Sequence, residues 1–292
     1  MKRTLLLLCF FSISFLSYSQ DIGYGFKAGL NFNRFIGPLE EDAQGASLEE
    51  LVGNSGFHVG AIFNFKFSKE FGARAEILYS QKGGRYRYDG PSYFTLYNLD
   101  AEPIKTTGNR KVSLNVTMSY VDIPIGAYYK IFDWLEVSAG GNIGILAGAT
   151  GAGQVTYSGI SENSGTVPEF SITLDYDYRR DETGVATFVG GTPFLKVDGE
   201  EIEIPVRSGA YYEYPKLEDP YFSLLDLGVY TGVSLYLNKG FFLGLRANYG
   251  LADITNNGYD FSLQSLDANG ERIPRSDKDV NFSIQTSLGF SF

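Results

Sequence analysis

The sequence has few residues that support redox or metal chemistry. Its 292 residues include one cysteine, one histidine, one tryptophan and two methionines. Cys9 lies inside an N-terminal apolar run and no other cysteine follows, which excludes disulfide bonds and thiolate catalysis from residues 20–292. A zinc site would depend on carboxylates around a single histidine, a ligand set that zinc seldom uses. We therefore predict no metal site and no cofactor.

Beyond the N-terminus, the chain also lacks an apolar run long enough for a transmembrane helix. Lys2 and Arg3 precede the apolar segment 5–16, and Ser17-Tyr18-Ser19 follows it. This order is typical of a cleaved signal peptide, and the run is shorter than the ~20 residues of a spanning helix. We expect cleavage near Ser19, which separates a signal peptide (1–19) from a mature domain (20–292).

Positive charge is scarce as well. The formal net charge is −10, and loss of the two cations Lys2 and Arg3 with the signal peptide changes it to −12. Proteins that bind nucleic acids neutralise phosphates with clustered lysine and arginine. A nucleic-acid partner is therefore not expected.

Eight stretches alternate between apolar residues at one parity and small or polar residues at the other. The apolar parity carries no charged residue in any of them. Such alternation is typical of transmembrane β-strands that have one face toward lipid. The stretches cover residues 22–32, 57–67, 71–79, 121–131, 135–147, 225–237, 243–251 and 280–292.

The interleaved parity contains the charged residues. A soluble β-sandwich would place its apolar parity inside and its charges in water, so alternation alone does not separate that fold from a membrane barrel. In a barrel, the interleaved charges would face the lumen and neutralise one another by pairing. The predicted lumen network comprises Arg74, Glu76, Asp122, Glu136, Asp226 and Arg246, and the same parity also contains Lys27, Lys66 and Lys130.

The connections between the stretches favour the barrel. Links at 68–70, 132–134 and 238–240 are very short, and they alternate with long links at about 34–54, 89–110, 148–220 and 252–278. Outer-membrane barrels combine short periplasmic turns with long extracellular loops. We therefore predict an all-β, eight-stranded antiparallel transmembrane barrel in the outer membrane, with both termini in the periplasm.

Four segments resemble the PorT-like outer-membrane β-barrel proteins of Bacteroidetes, often called porin family proteins. The segments are LYSQKGG (78–84), YVDIPIGAYYKI (120–131), DLGVYTGVSL (226–235) and RANYGLADI (246–254). The resemblance implies an eight-stranded barrel that the barrel assembly machinery inserts, guided by a C-terminal aromatic strand such as the one ending in Phe292. It implies no reaction.

The third long connection, 148–220, is the most distinctive segment. Asp198-Gly199 separates two short alternating runs within it, which predicts a hairpin. That hairpin either stands outside the membrane or adds two strands to make ten, and Glu201 and Glu203 favour the first arrangement. The nearby tyrosines suit surface recognition or cover the barrel mouth. They are Tyr176, Tyr178, Tyr211, Tyr212 and Tyr214.

Catalysis is not predicted. A Ser-His-acid hydrolase would have to use His58, which the alternation directs into the barrel and away from lipid. The acidic residues of the first loop (Glu40, Glu41, Asp42, Glu49 and Glu50) lack the spacing of a dedicated calcium loop.

Eight strands enclose an interior that side chains can fill, so an open diffusion pore is not expected. The first functional hypothesis is a surface binding or structural barrel that acts through its loops. The alternative is an accessory subunit of a type IX secretion, gliding or uptake machine, and a lipid-modifying enzyme is third. The expected partners are outer-membrane lipid, the assembly machinery and, for the second hypothesis, a protein that the sequence does not identify.

The barrel hypothesis makes a direct prediction about fractionation. Closed barrels resist unfolding by detergent, so the mature protein should fractionate with the outer membrane and migrate differently on gels before and after heating. Cell fractionation followed by electrophoresis with and without boiling tests this expectation. Recovery as a soluble periplasmic protein would contradict it.

Overall fold

A computed structural model describes residues 21–189, 194–214, 216–217 and 219–292. The predicted signal peptide, 1–19, lies outside these residues. Within the described part of the chain the regular elements are β-strands. None of the described residues belongs to a helix that is long and apolar enough to cross a membrane.

Sixteen strands are present in the described residues. Eight of them form the barrel: β1, β3, β4, β5, β6, β12, β13 and β16. The strands are β1 Asp21–Ile36, β2 Glu49–Val52, β3 Asn54–Lys66, β4 Phe71–Tyr97, β5 Pro103–Phe132, β6 Leu135–Ser161, β7 Thr166–Asp177, β8 Ala186–Thr187, β9 Phe194–Val197, β10 Glu200–Glu203, β11 Arg207–Ser208, β12 Leu225–Tyr236, β13 Phe241–Gly250, β14 Phe261–Leu266, β15 Arg272–Pro274 and β16 Val280–Ser291.

The eight long strands close into a ring of antiparallel pairs. Pairing runs from β1 through β3, β4, β5, β6, β12 and β13 to β16, and β16 pairs with β1 along Gly25–Ile36. Strands β9 and β10 form a separate two-stranded sheet around Asp198 (φ 56°) and Gly199 (φ 89°), the positive angles that a tight hairpin turn requires. The barrel therefore has the predicted eight strands, without a contribution from this hairpin.

The alternation of the sequence sets which side chains face outward. All the predicted lipid-facing positions are exposed or half-buried with one exception, Val280, which is 5% exposed. The prediction is wrong there because the segment after β13 covers the start of β16, where the Ile254 amide donates to the Asp279 carbonyl at 3.0 Å. We call the part of the barrel with apolar outward residues the membrane section, because such a continuous apolar surface requires lipid around it.

Three barrel strands extend well past the membrane section. Parts of the connections predicted at 89–110 and 148–220 belong to strands. Strand β4 continues to Tyr97 and β5 starts at Pro103, so only a short link separates them, and β6 continues to Ser161. The prediction is wrong at these ends because alternation continues with opposite polarity. Along β5, outward residues change from Val121 and Ile123 to Ser119, Thr117 and other polar residues, while inward residues become apolar.

A β-bulge marks the change on the neighbouring strand. Ser119 pairs with Gly148 and Tyr120 with Leu146, which leaves Ala147 as an extra residue in β6. A bulge reverses the parity of the residues that follow it. Ala149, Val155 and Tyr157 consequently point inward beyond the bulge, whereas the inward residues before it have even numbers.

The extended strands enclose a second hydrophobic core outside the membrane section. We call this part the loop-side section: residues 81–119 and 148–178, with the chain segments that pack against them. Its core is formed by inward residues of β4 to β7 and by residues of the long connections. Members include Leu114, Met118, Tyr157, Ile172 and Tyr211, each at most 8% exposed. The chain thus combines a polar-filled membrane barrel with an ordinary apolar core above it.

A charged residue on the outward face of β5 should be costly in the membrane section and tolerated in the loop-side section. Ile125 is 54% exposed on the outward face of β5 near the middle of its membrane section. Ile125→Arg should destabilise the protein by about 2 to 4 kcal/mol because the guanidinium meets hydrocarbon. Reversible denaturant titration of protein folded into liposomes measures the difference.

Ser113→Arg is the matched control, since Ser113 is exposed at the same parity of β5 in the loop-side section. It should change the free energy of unfolding by less than about 0.5 kcal/mol, the usual range for surface substitutions. Equal costs for the two variants would mean that the boundary between the sections is misplaced.

Candidate functional site: a charged lumen and a tyrosine-lined cavity

The structure pairs the predicted lumen charges with one another. Arg74 Nη1 lies 2.7 Å from Glu136 Oε1, and Arg246 contacts Glu76 with Nη2 at 2.6 Å. The Arg246 guanidinium also lies over the Tyr230 ring, 4.2 Å from its centroid. These four charged side chains, contributed by β4, β6 and β13, are each at most 8% exposed. They form a buried, charge-compensated cluster in the membrane section.

Asp122 and Asp226 bind a cation that the predicted network did not include. Lys82 Nζ lies 2.9 Å from a carboxylate oxygen of each aspartate and 4.6 Å from the Tyr120 ring centroid. Lys27, which the alternation placed at the inward parity, joins the network with its Nζ 2.6 Å from Glu76. The sequence does indicate this position, because Lys82 has the same inward parity along β4 as Arg74 and Glu76.

The lumen around these pairs has almost no free space. Two cavities that border the network measure about 20 and 10 Å³. A cavity of ~10–15 Å³ is enough to hold one water molecule, so each of these cavities has room for about one. The described residues therefore fill the membrane section at the level of the ion pairs, which disfavours diffusion of solutes through it.

His58 is held in the lumen by two neutral side chains. Its Nδ1 lies 2.6 Å from Asn31 Oδ1 and its Nε2 lies 2.8 Å from Ser287 Oγ. A hydrolytic triad needs an acid at the position that Asn31 occupies. The ring is also 0% exposed, so this arrangement offers no route for a substrate.

Phe292 ends the chain beside the first strand. Its amide donates to the Tyr24 carbonyl at 2.7 Å, and its ring lies 5.1 Å from that of Phe290. The side chain is 71% exposed at the short-turn end of the barrel. Its role as an assembly signal stays a prediction.

A sizeable cavity lies in the loop-side section, above the ion pairs. It has a volume of about 230 Å³, and inward residues of β4 to β7 and the connections 208–222 and 254–279 line it. Eight tyrosines contribute to the lining: Tyr86, Tyr93, Tyr176, Tyr178, Tyr212, Tyr214, Tyr221 and Tyr259.

An aromatic cluster joins several of these tyrosines. The Tyr178 ring lies 4.8 Å from Phe222 and 5.4 Å from Tyr221, and Tyr214 lies 5.6 Å from Tyr259. Such tilted and edge-on pairs fix the rings in place. Burial raises the pKa of Tyr176 and Tyr214, so their hydroxyl groups remain protonated donors at neutral pH.

Arg110 and Arg272 form the basic wall of the cavity. Arg110 Nη2 contacts Glu213 Oε2 at 3.2 Å and donates to the Tyr93 carbonyl at 2.8 Å, while Arg272 lies 4.6 Å over the Tyr214 ring. The Arg110 side chain is 5% exposed, and its Nε has no hydrogen-bond acceptor within the described residues. A buried donor without an acceptor is costly unless a ligand or water supplies one.

A second part of the lining, which we call the acidic wall, contains most of the carboxylates. Arg275 donates from Nη1 to Glu49 Oε1 and from Nη2 to Asp277 Oδ2, both at 2.7 Å. Asp260 and Asp279 lie beside this pair. Burial raises the pKa of Asp260 to about 8, with a contribution from the adjacent Asp277, and burial raises that of Asp279 to about 6.

Sequence reasoning identified part of this site without locating it. Tyr176, Tyr178, Tyr212 and Tyr214 all line the cavity, and Tyr211 is 1% exposed in the core beneath them. The cavity's partners from the first and last connections, including Glu49, Asp260 and Arg275, were not associated with the tyrosines. Nothing in the sequence spacing brings these distant segments together.

The chain belongs to a known family. The family model for the outer membrane protein beta-barrel domain matches residues 18–256. The protein is therefore an outer-membrane β-barrel protein. No curated protein matches the sequence.

Solved structures of outer-membrane barrels are similar to this chain along most of their length. The attachment invasion locus protein Ail of Yersinia pestis shares 12% identity over 92% of this chain and 98% of its own, with a TM-score of 0.34. OprG of Pseudomonas aeruginosa shares 9% over 94% and 97%, with a TM-score of 0.33. The outer membrane protease OmpT of Escherichia coli shares 9% over 95% and 99%, with a TM-score of 0.28.

The ion pairs of the lumen make a prediction about stability. Glu76→Gln would leave Lys27 and Arg246 without their shared carboxylate, which should lower the free energy of unfolding by about 3 to 5 kcal/mol, the usual cost of breaking a buried pair. Denaturant titration in detergent micelles measures this change.

Glu50→Gln is the control, because the Glu50 pair with Arg87 at 2.9 Å is largely exposed. Exposed pairs contribute about 0 to 1 kcal/mol. If both variants lost the same small amount of stability, the lumen pairs would not be the compensated buried charges described above.

Proposed function

We propose that this outer-membrane barrel is a non-catalytic surface binding protein whose loop-side cavity holds one uncharged sugar ring. The observation that carries the proposal is a tyrosine-lined cavity of about 230 Å³ above a filled lumen. In this proposal the loop-side section faces the outside of the cell and both termini face the periplasm, as the short turns and long connections of outer-membrane barrels suggest.

The charges of the lining favour a neutral ligand. Among the described residues, three arginines and four carboxylates line the cavity, so neither sign dominates. Arg110 and Arg272 already lie over aromatic rings, which leaves those rings unavailable to a cationic ligand. An anionic ligand would meet the carboxyl groups of Glu49, Asp260 and Asp279 in the acidic wall.

The aromatic lining favours a ring with apolar faces and polar edges. Tyrosine offers both an apolar ring and a hydroxyl group. The buried Nε of Arg110 supplies a donor that lacks an acceptor among the described residues. A sugar ring has hydroxyl acceptors for such donors and C–H faces for the rings.

The volume supports one ring only. About 230 Å³ is less than the ~300–1,000 Å³ of pockets that bury drug-sized ligands. A longer glycan would place one residue inside and extend into the solvent.

The resemblance to PorT-like proteins remains a prediction within this proposal, since it concerns the subfamily and source of the chain.

Titration of the protein, refolded in detergent, with a panel of neutral mono- and disaccharides tests the proposal. Isothermal calorimetry should detect saturable binding of at least one sugar with one site per chain. Val112→Phe, which extends a partly buried lining residue of β5 into the cavity, should weaken this binding at least tenfold by occupying its space.

Ser113→Phe introduces the same ring at the adjacent, outward position of β5 and should leave the affinity unchanged. Retention of heat-modifiable migration establishes that both variants are folded. Absence of saturable binding across the panel, or equal affinity in the two variants, would contradict a sugar-binding cavity.

A further inference from the structure

Three aspartates from the last long connection converge beside the cavity. Asp260 directly precedes β14, and Asp277 and Asp279 lie in the segment that leads into β16. One carboxylate oxygen from each lies within 4.8 Å of those from the other two. Asp260 lies 17 and 19 positions before Asp277 and Asp279 in sequence, so the hairpin of β14 and β15 brings it to them.

Negative charge exceeds positive charge around this cluster. Asp253 and Glu49 are also adjacent: Asp253 accepts from the Asp279 amide at 3.2 Å, and Arg275 bridges Glu49 and Asp277. Arg275 thus faces several carboxylates while it pairs with only two of them. Like charges held this close require a further cation or protons.

Two carboxyl groups of the cluster are incompletely satisfied within the described residues, and Asp277 pairs with Arg275 through Oδ2 only. Asp260 is 8% exposed, and among the described residues its side chain contacts the carboxyl group of Asp277 rather than an N–H or hydroxyl donor of the protein. Asp277 Oδ1 is buried and has no hydrogen-bond partner in the same part of the chain. A buried carboxylate is costly unless it is paired or coordinates a metal.

We propose that Asp260, Asp277 and Asp279 bind one Ca²⁺ ion. The donor set consists of oxygen atoms only, which excludes the nitrogen and sulfur ligands that zinc prefers. Calcium accepts six to eight oxygens in irregular geometry, whereas magnesium demands a near-ideal octahedron and retains its waters. Carboxylates from two separate loop segments suit the more tolerant ion.

The bound ion would fasten the last long connection to the barrel rim. Asp279 directly precedes β16, and Asp260 directly precedes β14, so one ion joins the hairpin to the start of the final strand. Ca²⁺ that binds the folded protein and not the unfolded chain raises its apparent stability. Binding should therefore be visible in stability as well as in calorimetry, without any sugar present.

The experiment uses the full mature chain refolded from inclusion bodies into detergent, free of lipopolysaccharide, and depleted of metals with chelator. Calorimetric titration with CaCl₂ should give one site per chain, and the thermal midpoint should rise with Ca²⁺ concentration. MgCl₂ at the same concentrations should produce a smaller shift.

Asp260→Asn and Asp279→Asn should each weaken Ca²⁺ binding at least tenfold. Glu271→Gln is the control, because it removes the same charge from an exposed residue of the β14–β15 hairpin and should bind Ca²⁺ as the unchanged protein does. Asparagine removes buried negative charge, so the variants should fold, and heat-modifiable migration verifies that they do.

Stoichiometric Ca²⁺ binding that Asp260→Asn and Asp279→Asn abolish would support the proposal. Absence of a site in the unchanged protein would overturn it, and so would equal binding by Asp260→Asn and Glu271→Gln. Tighter binding of Mg²⁺ than Ca²⁺ would overturn the choice of ion. If an aspartate variant failed to fold, the titration of the unchanged protein alone would still decide between one site and none.

Discussion

The structure depends on one constraint: every backbone N–H and C=O group in the membrane must be hydrogen-bonded within the protein, because hydrocarbon offers no hydrogen-bond partner. An open edge strand in hydrocarbon leaves N–H and C=O groups unpaired at a cost of several kcal/mol each. The chain meets this constraint by closing eight antiparallel strands, with β16 paired to β1 over twelve residue positions. Closure with only eight strands leaves a narrow lumen. The side chains of that lumen then have to compensate one another.

The charged side chains in the lumen neutralise one another by forming ion pairs. Four cations and four anions occupy it at the ion pairs described here, in two groups around Glu76 with Glu136 and around Lys82. Low dielectric makes each pair strong and each unpaired charge expensive. Filling the lumen with paired charges disfavours passage of solutes through the membrane section. Under the proposed function, ligand binding therefore falls to the loop-side section.

In the loop-side section the outward face is polar and the inward face is apolar, the reverse of the membrane section. Where strands leave the lipid, water becomes the outer medium, so the apolar parity turns inward and polar residues turn outward. The change occurs along β5 without a break and along β6 with a bulge at Ala147. An apolar core forms there as in a soluble protein. Because connecting segments complete it, the core leaves a cavity in which tyrosines, arginines and aspartates from distant parts of the chain meet.

The sequence by itself determined the eight strands and their inward and outward faces. Those features follow from residue alternation and connection length, which are local properties. It also placed Arg74, Glu76 and Asp226 inside, because a charge on the lipid face is excluded. The alternation also continues from Lys111 to Ser119, but there the outward parity is polar and the inward parity is apolar. This continued alternation indicates that β5 extends beyond the boundary predicted for it.

Only the tertiary structure decided which lumen charges pair, where the cavity lies and which carboxylates converge. Pairing depends on register and barrel shear, so Lys82 meets Asp226 across 144 positions of sequence. The cavity depends on how connections of unrelated sequence fold over one another, which no periodicity encodes. Asp260, Asp277 and Asp279 approach because a hairpin folds between them, and their spacing in sequence resembles no calcium loop. Long-range packing fixed these features, since the same local patterns are compatible with many arrangements of the loops.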